Sequence, residues 1–562
     1  MNRKTIYLIL TVTLILVACA SPAAVPAAVP AAEAATEPVA AVESGPVRGG
    51  TIRFGVAEES RGIDPTTAMR NFGESATPVH DSLVVFDVDG NSQGQLAESW
   101  SVNEDATEFT VKLRKDVLFH DGSRFTAADV KADIERIFAP EFCCGNAYQY
   151  FGPYESFEMI DDFNFKIKFS KAWGQFSFYI GLPDVTAIPS NAGWEKIGKE
   201  MNQKPIGAGP FKFVEWVPQS HISYVRFDEY NWGSDLFDHP GAPYVDGLQI
   251  KFISDQSTRV ACLESGDCDI IIGPAYTDLQ RLRDNPKFKL DRIPETGMPF
   301  SFVFNSAKFP TDDVNVRKAI NLAIDRKKIN QAAFMGERQP LYTVLTPSTI
   351  EYMPKSEKYI YINQEEAKTL LVNAGWKDAD GDGILDKDGK PLALDMFVFG
   401  DKDANPAVIA AEAMQADLKS VGIKLNINVR PWDDQSVLAM NEEHHLINFD
   451  MPLPTASVLG VMFNSRETPR EGHYGMGFSW FEKSNPELSK QLDQLLDAGD
   501  NAGTLEKRKE YFIAAQKIIQ ENYLGLPISA GFTDYAMVKN LLGVKYSSSG
   551  GVMFNDAYFA AK

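Results

Sequence analysis

From Gly49 onward, apolar and polar side chains recur at two periods that alternate along the chain. Gly49-Gly-Thr-Ile-Arg-Phe-Gly-Val56 alternates apolar with polar positions and begins at glycines, which predicts a half-buried strand. Thr107–Arg114 repeats the pattern, with Phe109, Val111 and Leu113 on one face. At Phe125 the period lengthens. Thr126 is a good N-cap, Asp129 takes the third helical position, and Val130, Ile134 and Ile137 follow at helical spacing. Further helices are predicted at 314–330, 364–374, 405–421 and 504–522, each with a single apolar stripe. Strands are predicted at 211–216, 392–398 and 423–429. Alternation of this kind over such a length argues for α/β lobes rather than bundles or sandwiches.

The first 48 residues follow neither period. Arg3 and Lys4 precede an apolar run from Ile6 to Val17 that stops at Leu16-Val17-Ala18-Cys19. A basic head, a core of about a dozen apolar residues and a small residue at the cut form an export signal. The core falls short of the roughly 20 apolar residues of a permanent span. The cysteine directly after the small residue resembles the bacterial lipobox, in which that cysteine is lipidated and becomes the new N-terminus. Residues 1–19 are therefore read as a lipoprotein signal peptide with Cys19 as the lipidation site, which places the mature chain outside the cytoplasmic membrane, lipid-anchored to it. Residues 20–48, rich in Pro and Ala and without an aromatic residue, Leu or Ile, read as a disordered tether. No later stretch reaches 18 uninterrupted apolar residues, so one anchor and no transmembrane helix are expected.

The 562 residues are 44% hydrophobic, enough to bury more than one core. A formal net charge of -21 repels nucleic acid and anionic lipid and favours solubility and cationic ligands. Besides Cys19, the cysteines are Cys143, Cys144, Cys262 and Cys268; an exported compartment permits disulfides, and three pairings are open. Cys143 and Cys144 are adjacent and no His lies near either pair at ligand spacing, which argues against a metal site there.

Between Val79 and Arg136 a specific series appears: His80-Asp-Ser-Leu-Val84, Leu96-Ala-Glu-Ser-Trp100, Leu113-Arg-Lys-Asp-Val-Leu-Phe-His-Asp-Gly122 and Phe125-Thr-Ala-Ala-Asp-Val130. Pro205–Trp216, Glu264–Asp269, Val316–Asp325 and Ala367–Trp376 continue it. Together they resemble the peptide/nickel family (family 5) of extracellular solute-binding proteins, the capture subunits of ABC importers, over roughly 49–562. The residues themselves read as structural: His120-Asp121-Gly122 as a turn, Gly207-Ala-Gly-Pro210 as a tight turn into a strand, Arg317 and Asp325 as capping or pairing groups. The resemblance implies a two-lobed, periplasmic-binding-protein-like α/β clam shell with mixed sheets, of the large class with an extra subdomain in lobe I. Lobe I would comprise 49–292, lobe II 293–529, and 530–562 would return to lobe I, with hinge crossings near Pro294–Phe300 and Leu526–Gly531. The expected partners are a small-molecule ligand and membrane permease subunits; the receptor is read as a monomer that requires no cofactor.

Asn448–Thr455 resembles the stretch where oligopeptide receptors carry an aspartate that holds a peptide's α-ammonium, which makes Asp450 the candidate anchor. A carboxylate walled off from water pairs strongly with an ammonium; the competing reading is an Asp at a turn before prolines. Trp432 and Arg430, after the strand at 423–429, are candidates for a pocket wall and a carboxylate fork. Trp480 and Tyr474, in the Gly-rich stretch 472–480, are further candidates for the cleft. Aromatic faces suit sugars as well as peptides, so an oligosaccharide stays open beside a di- or oligopeptide, as does a nickel chelate.

Asp378-Ala-Asp380-Gly-Asp382-Gly-Ile384-Leu-Asp386-Lys-Asp388-Gly389 matches the first half of a calcium loop, with Gly389 where the bidentate Glu belongs. Asp378, Asp380, Asp382, Ile384 and Asp386 are the candidate ligands of a structural Ca²⁺; the alternative is an Asp-Gly-rich hairpin. A surface hydrolase would explain the anchor, but no HExxH occurs, and Glu443-His444-His445 cannot aim both rings at one metal from one helical face. A sensor that kept the receptor fold without a permease is the remaining rival.

Overall fold

The computed structural model describes residues 45–65, 73–140, 146–354, 358, 360–400, 405–431, 434–471, 473, 475–548 and 550–561. Cys19, Cys143, Cys144, Trp432 and Tyr474 lie outside them. Two large sheets organise the described chain. The first has seven strands in the order Phe288–Pro294, Phe532–Val538, Ile270–Ile272, Thr51–Val56, Gly247–Phe252, His221–Arg226 and Phe211–Val217. Thr51–Val56 runs parallel to both neighbours, with Thr51 opposite Gly247 and Phe54 opposite Ile270.

The second sheet has six strands, ordered Gln339–Pro340, Gly525–Ala530, Met298–Phe304, Leu446–Met451, Ala393–Phe399 and Lys424–Arg430. Its centre is buried on both faces. Phe300, Phe302 and Phe304 of one strand and Leu394, Met396 and Val398 of another enter one core, whereas Met298 and Val303, with Phe397 and Phe399, enter the core on the other side. Period-two alternation therefore sorts apolar side chains to two cores, and such a strand reads as a continuous apolar run. A four-stranded antiparallel sheet, Ala97–Val102, Glu108–Leu113, Asn164–Phe169 and Tyr154–Asp161, adds a subdomain with its own core to the first lobe. The architecture is the two-lobed α/β fold.

The local signals account for most elements. In the helix Ala127–Ile137 the Asp129 carboxylate accepts the Thr126 N–H at 2.9 Å. The helices Gln364–Asn373, Pro406–Lys419 and Leu505–Glu521 lie where the apolar stripes predict them, capped by Asn363, Asn405 and Thr504. The helix expected over 314–330 is two, Val314–Ala323 and Arg326–Phe334. Asp325 breaks it: its carboxylate accepts the N–H groups of Lys327 and Lys328, while its own N–H donates to Asp417. Gly209 donates its N–H to the Val79 carbonyl, and a Cβ there would strike the Val79–His80 backbone, so this turn needs glycine for close approach. Cys262 and Cys268 form a disulfide.

No helix among the described residues is long and apolar enough to cross a membrane.

Candidate functional site

The chain passes from the first sheet to the second between Pro294 and Met298 and returns between Ala530 and Phe532. The two crossings are stitched together. Glu295 donates its N–H to the Gly531 carbonyl at 3.1 Å, and its carboxylate accepts the Gly531 N–H at 3.1 Å. A side chain at 531 would collide with Arg338 and Glu295. Arg338 donates to the Glu295 carboxylate at 3.0 Å and to the Ser529 hydroxyl at 3.2 Å. Beside the crossings, Arg283 and Arg292 from the first lobe both reach Glu337 of the second, at 3.0 and 2.9 Å, and Arg292 also pairs with Asp534 at 2.5 Å.

A cavity of about 560 Å³ lies between the lobes on the inner side of these crossings, a volume within the range of small-molecule sites. Thr296 and Thr533 line its end at the crossings, Glu74, His80 and Asp81 part of the first-lobe wall, and Pro452-Leu453-Pro454 the second-lobe wall. Asp81 sits buried in the His80-Asp81-Ser82 motif and accepts from Gln95 at 2.6 Å, Tyr230 at 3.0 Å and Trp232 at 3.1 Å. Burial pushes its carboxyl up to about 7 against the pull of those donors. Burial also lowers His80 to about 3, so the imidazole in the wall is neutral at physiological pH. His120, in the turn after the strand Glu108–Leu113, is likewise lowered by burial, to about 4, and bonds the Gly209 carbonyl at 2.9 Å; it supports the turn.

Asp450 is the penultimate residue of Leu446–Met451, two residues before the segment that forms the second-lobe wall. Ala393–Phe399 is parallel to both Leu446–Met451 and Lys424–Arg430, so all three strands end on one edge, which carries Asp450 and Arg430. Ligands of open α/β sheets gather at such carboxyl edges. The Asp450 side chain remains open to water, yet the protein around it desolvates its carboxyl enough to raise its pKa, with Arg338 pulling down and Glu295 pushing up. Open surface together with desolvation describes a carboxylate in a recess. Arg430 is exposed at the end of its strand, where its carbonyl accepts the Gly400 N–H.

Trp480 lies elsewhere. It is 5% exposed, in left-handed backbone with φ 52°, and the Lys483 ammonium sits 4.2 Å from its ring. The neighbouring Ser479 carbonyl accepts the Ser306 N–H beyond Phe304, and Phe304 pairs with Leu446, at the opposite end of the strand from Asp450. The structure thus corrects the expectation that Trp480 lines the cleft: the Gly-rich stretch returns to the far edge of the sheet, where the indole packs. Trp432 and Tyr474, the other aromatic candidates, fall outside the described residues.

The carboxylates of Asp378, Asp380 and Asp382 lie within 4.8 Å of one another on the surface. They accept backbone N–H groups of their own loop: Gly381 and Gly383 donate to Asp378, Asp382 to Asp380, and Ile384 to Asp382. Asp386-Lys387 then pairs with Lys390-Pro391, the hairpin alternative. A calcium ion gains no support from this arrangement.

Glu74, Thr77, Ser547, Ser548 and the segment 550–555, all of them cavity wall, carry no periodic or motif signal, and only tertiary folding brings them together.

Residues 91–502 match the bacterial extracellular solute-binding proteins, family 5. Heme-binding protein A of Haemophilus influenzae is 26% identical over 566 residues, covering 95% of each chain. Oligopeptide-binding protein AppA of Bacillus subtilis is 28% identical over 557 residues, 92% of this chain and 93% of that one. Among solved structures, NikA from Brucella suis in complex with Fe(III)-EDTA superimposes with a TM-score of 0.78 at 21% identity, over 91% of this chain and all of that one.

Proposed function

The chain belongs to the bacterial extracellular solute-binding proteins of family 5, and we propose that it captures di- or oligopeptides for an ABC importer. The observation that carries the reading is the recessed Asp450 carboxylate at the carboxyl edge of the second sheet, beside the wall segment 452–454. A peptide's α-ammonium is the natural partner of such a group, and the ion pair strengthens as closure excludes water. The described wall adds the carboxyl groups of Glu74 and Asp81, and the net charge of -21 steers cations toward the chain. An oligopeptide-binding relative supports the ligand class.

In this reading residues 49–292 and 530–562 form one lobe and 293–529 the other. They pivot about 295–297 and 530–531, because ligand contacts both lobes only in the shut form. Cys19 carries the lipid, residues 20–48 hold the monomeric receptor off the membrane, and permease subunits receive the shut form. No step is chemical, and no cofactor is required.

Calorimetry with trialanine tests the proposal. Saturable binding is expected, with Asp450→Ala weakening it roughly 100-fold or more, the cost of stranding a charge in a recess. Equal affinity in that variant would remove Asp450 from the site, and native mass spectrometry that finds a sugar or a metal chelate in the cavity would replace the ligand class.

A further inference from the structure

We infer that the end of the cavity opposite the hinge is a length gate, so that the ligand is a compact molecule enclosed whole; for a peptide this means about three residues. The inference rests on the receptor reading and adds the size of the guest. A compact space of 560 Å³ is roughly 10 Å across, and an extended chain advances about 3.3–3.6 Å per residue. A longer chain would have to leave the cavity, and at this end two successive barriers stand in its way.

The first is an apolar seam. Phe86, Phe178 and Leu182 of the first lobe face Ile350, Leu453 and Pro454 of the second around a gap of only about 10 Å³, room for one water at most. Phe86, Leu182, Leu453 and Pro454 also line the main cavity, so the seam is its continuation. The second barrier is direct contact between the lobes. Gln175 donates its N–H to the Asp500 carbonyl at 2.8 Å. The Arg508 guanidinium lies 4.6 Å from the Phe178 ring. A Cβ on Gly174 would collide with the Ala502 carbonyl, so the backbones meet with no side chain between them.

The gate is tied to the ligand wall. Glu351, fully buried, accepts from Arg508 at 2.9 Å with one oxygen and from the Ala456 N–H at 2.8 Å with the other. Arg508 also donates to the Ser457 hydroxyl at 3.1 Å and the Gly499 carbonyl at 3.0 Å. The segment 452–457 cannot swing aside to pass a chain without breaking these bonds and leaving a buried charge unpaired. Gly174, Gln175 and Phe178, with Leu453, Asp500 and Arg508, are thus assigned as the residues that limit length.

The test is calorimetry of the full chain with peptides of alternating alanine and serine, from two to nine residues. Affinity should be highest at two to four residues and at least 100-fold weaker for the nonapeptide. Phe178→Ala combined with Leu453→Ala, which opens the seam without touching Asp450, should narrow that ratio at least tenfold. A wild-type protein that binds the nonapeptide as tightly as the tripeptide overturns the gate and leaves the receptor reading standing, and so does an unchanged ratio in the double variant. No binding at any length overturns the peptide assignment and the gate with it. The wild-type ladder decides the matter even if the variant does not fold.

Discussion

The two ends of the cavity are built from different chemistry. At the hinge, Glu337 is gripped by Arg283 and Arg292, whose side chains are 40% and 24% exposed. At the far end, Arg508 and Glu351 are 1% and 0% exposed, and the lobes meet through one backbone hydrogen bond and an aromatic face. Hydrated ion pairs are weak, tolerant of geometry and screened by salt, so they can persist while the lobes turn about them. Desolvated, shape-matched contacts are made or lost together. For the pivoting receptor proposed above, the contrast puts freedom where the chain crosses and selection where it does not: the crossings accept a range of geometries, and the far end rewards one.

The sharpest way to break the comparison is Glu351→Ala, which leaves Arg508 charged and buried without its partner. A loss of roughly 3–5 kcal/mol is expected in urea unfolding; a loss under about 1 kcal/mol would mean that water reaches the pair and that the two ends are alike. The next effect is a pH dependence. Burial raises Asp500, beside the far-end contact, to about 6, although Arg508 pulls it down. A carboxyl raised on folding contributes stability that is full below its unfolded value near 4 and lost as pH rises through about 6. The stability of the wild type relative to Asp500→Asn should therefore fall between pH 4 and 7, by on the order of 2–3 kcal/mol. A difference that is flat with pH in denaturant titrations would show Asp500 to be hydrated. The smallest effect belongs to the hinge. Glu337→Gln should cost at most about 1 kcal/mol, and less as salt is raised; a large, salt-independent cost would make the hinge as rigid as the far end.

Sequence patterning reached most of the elements. The Asp129 capping box and the Asn405 and Thr504 caps are local, so they were readable. Asp325 sits in an unbroken helical pattern, and only its bond to Asp417 reveals why the helix stops there. The helix Pro486–Asn501 is opened by the equally local signals of Asn485 and Pro486. A local motif surrounds Asp450, so the sequence alone singles it out as a candidate. It does not single out the far-end contact, because residues 174–178 and 500–508 meet only after both lobes have folded. Nor does any local pattern mark Arg508 for complete burial: it reads as one more charge in a Lys- and Glu-rich helix.

Gly531 is the single residue between the last strand of the second sheet and Phe532–Val538, which lies between Phe288–Pro294 and Ile270–Ile272. That strand is made long after Phe288–Pro294, once every strand of the second sheet has been synthesised. Until then Phe288–Pro294 has no neighbour to pair with, and the first sheet stays incomplete. The topology therefore makes completion of the first sheet wait on the second, however early its other strands are made.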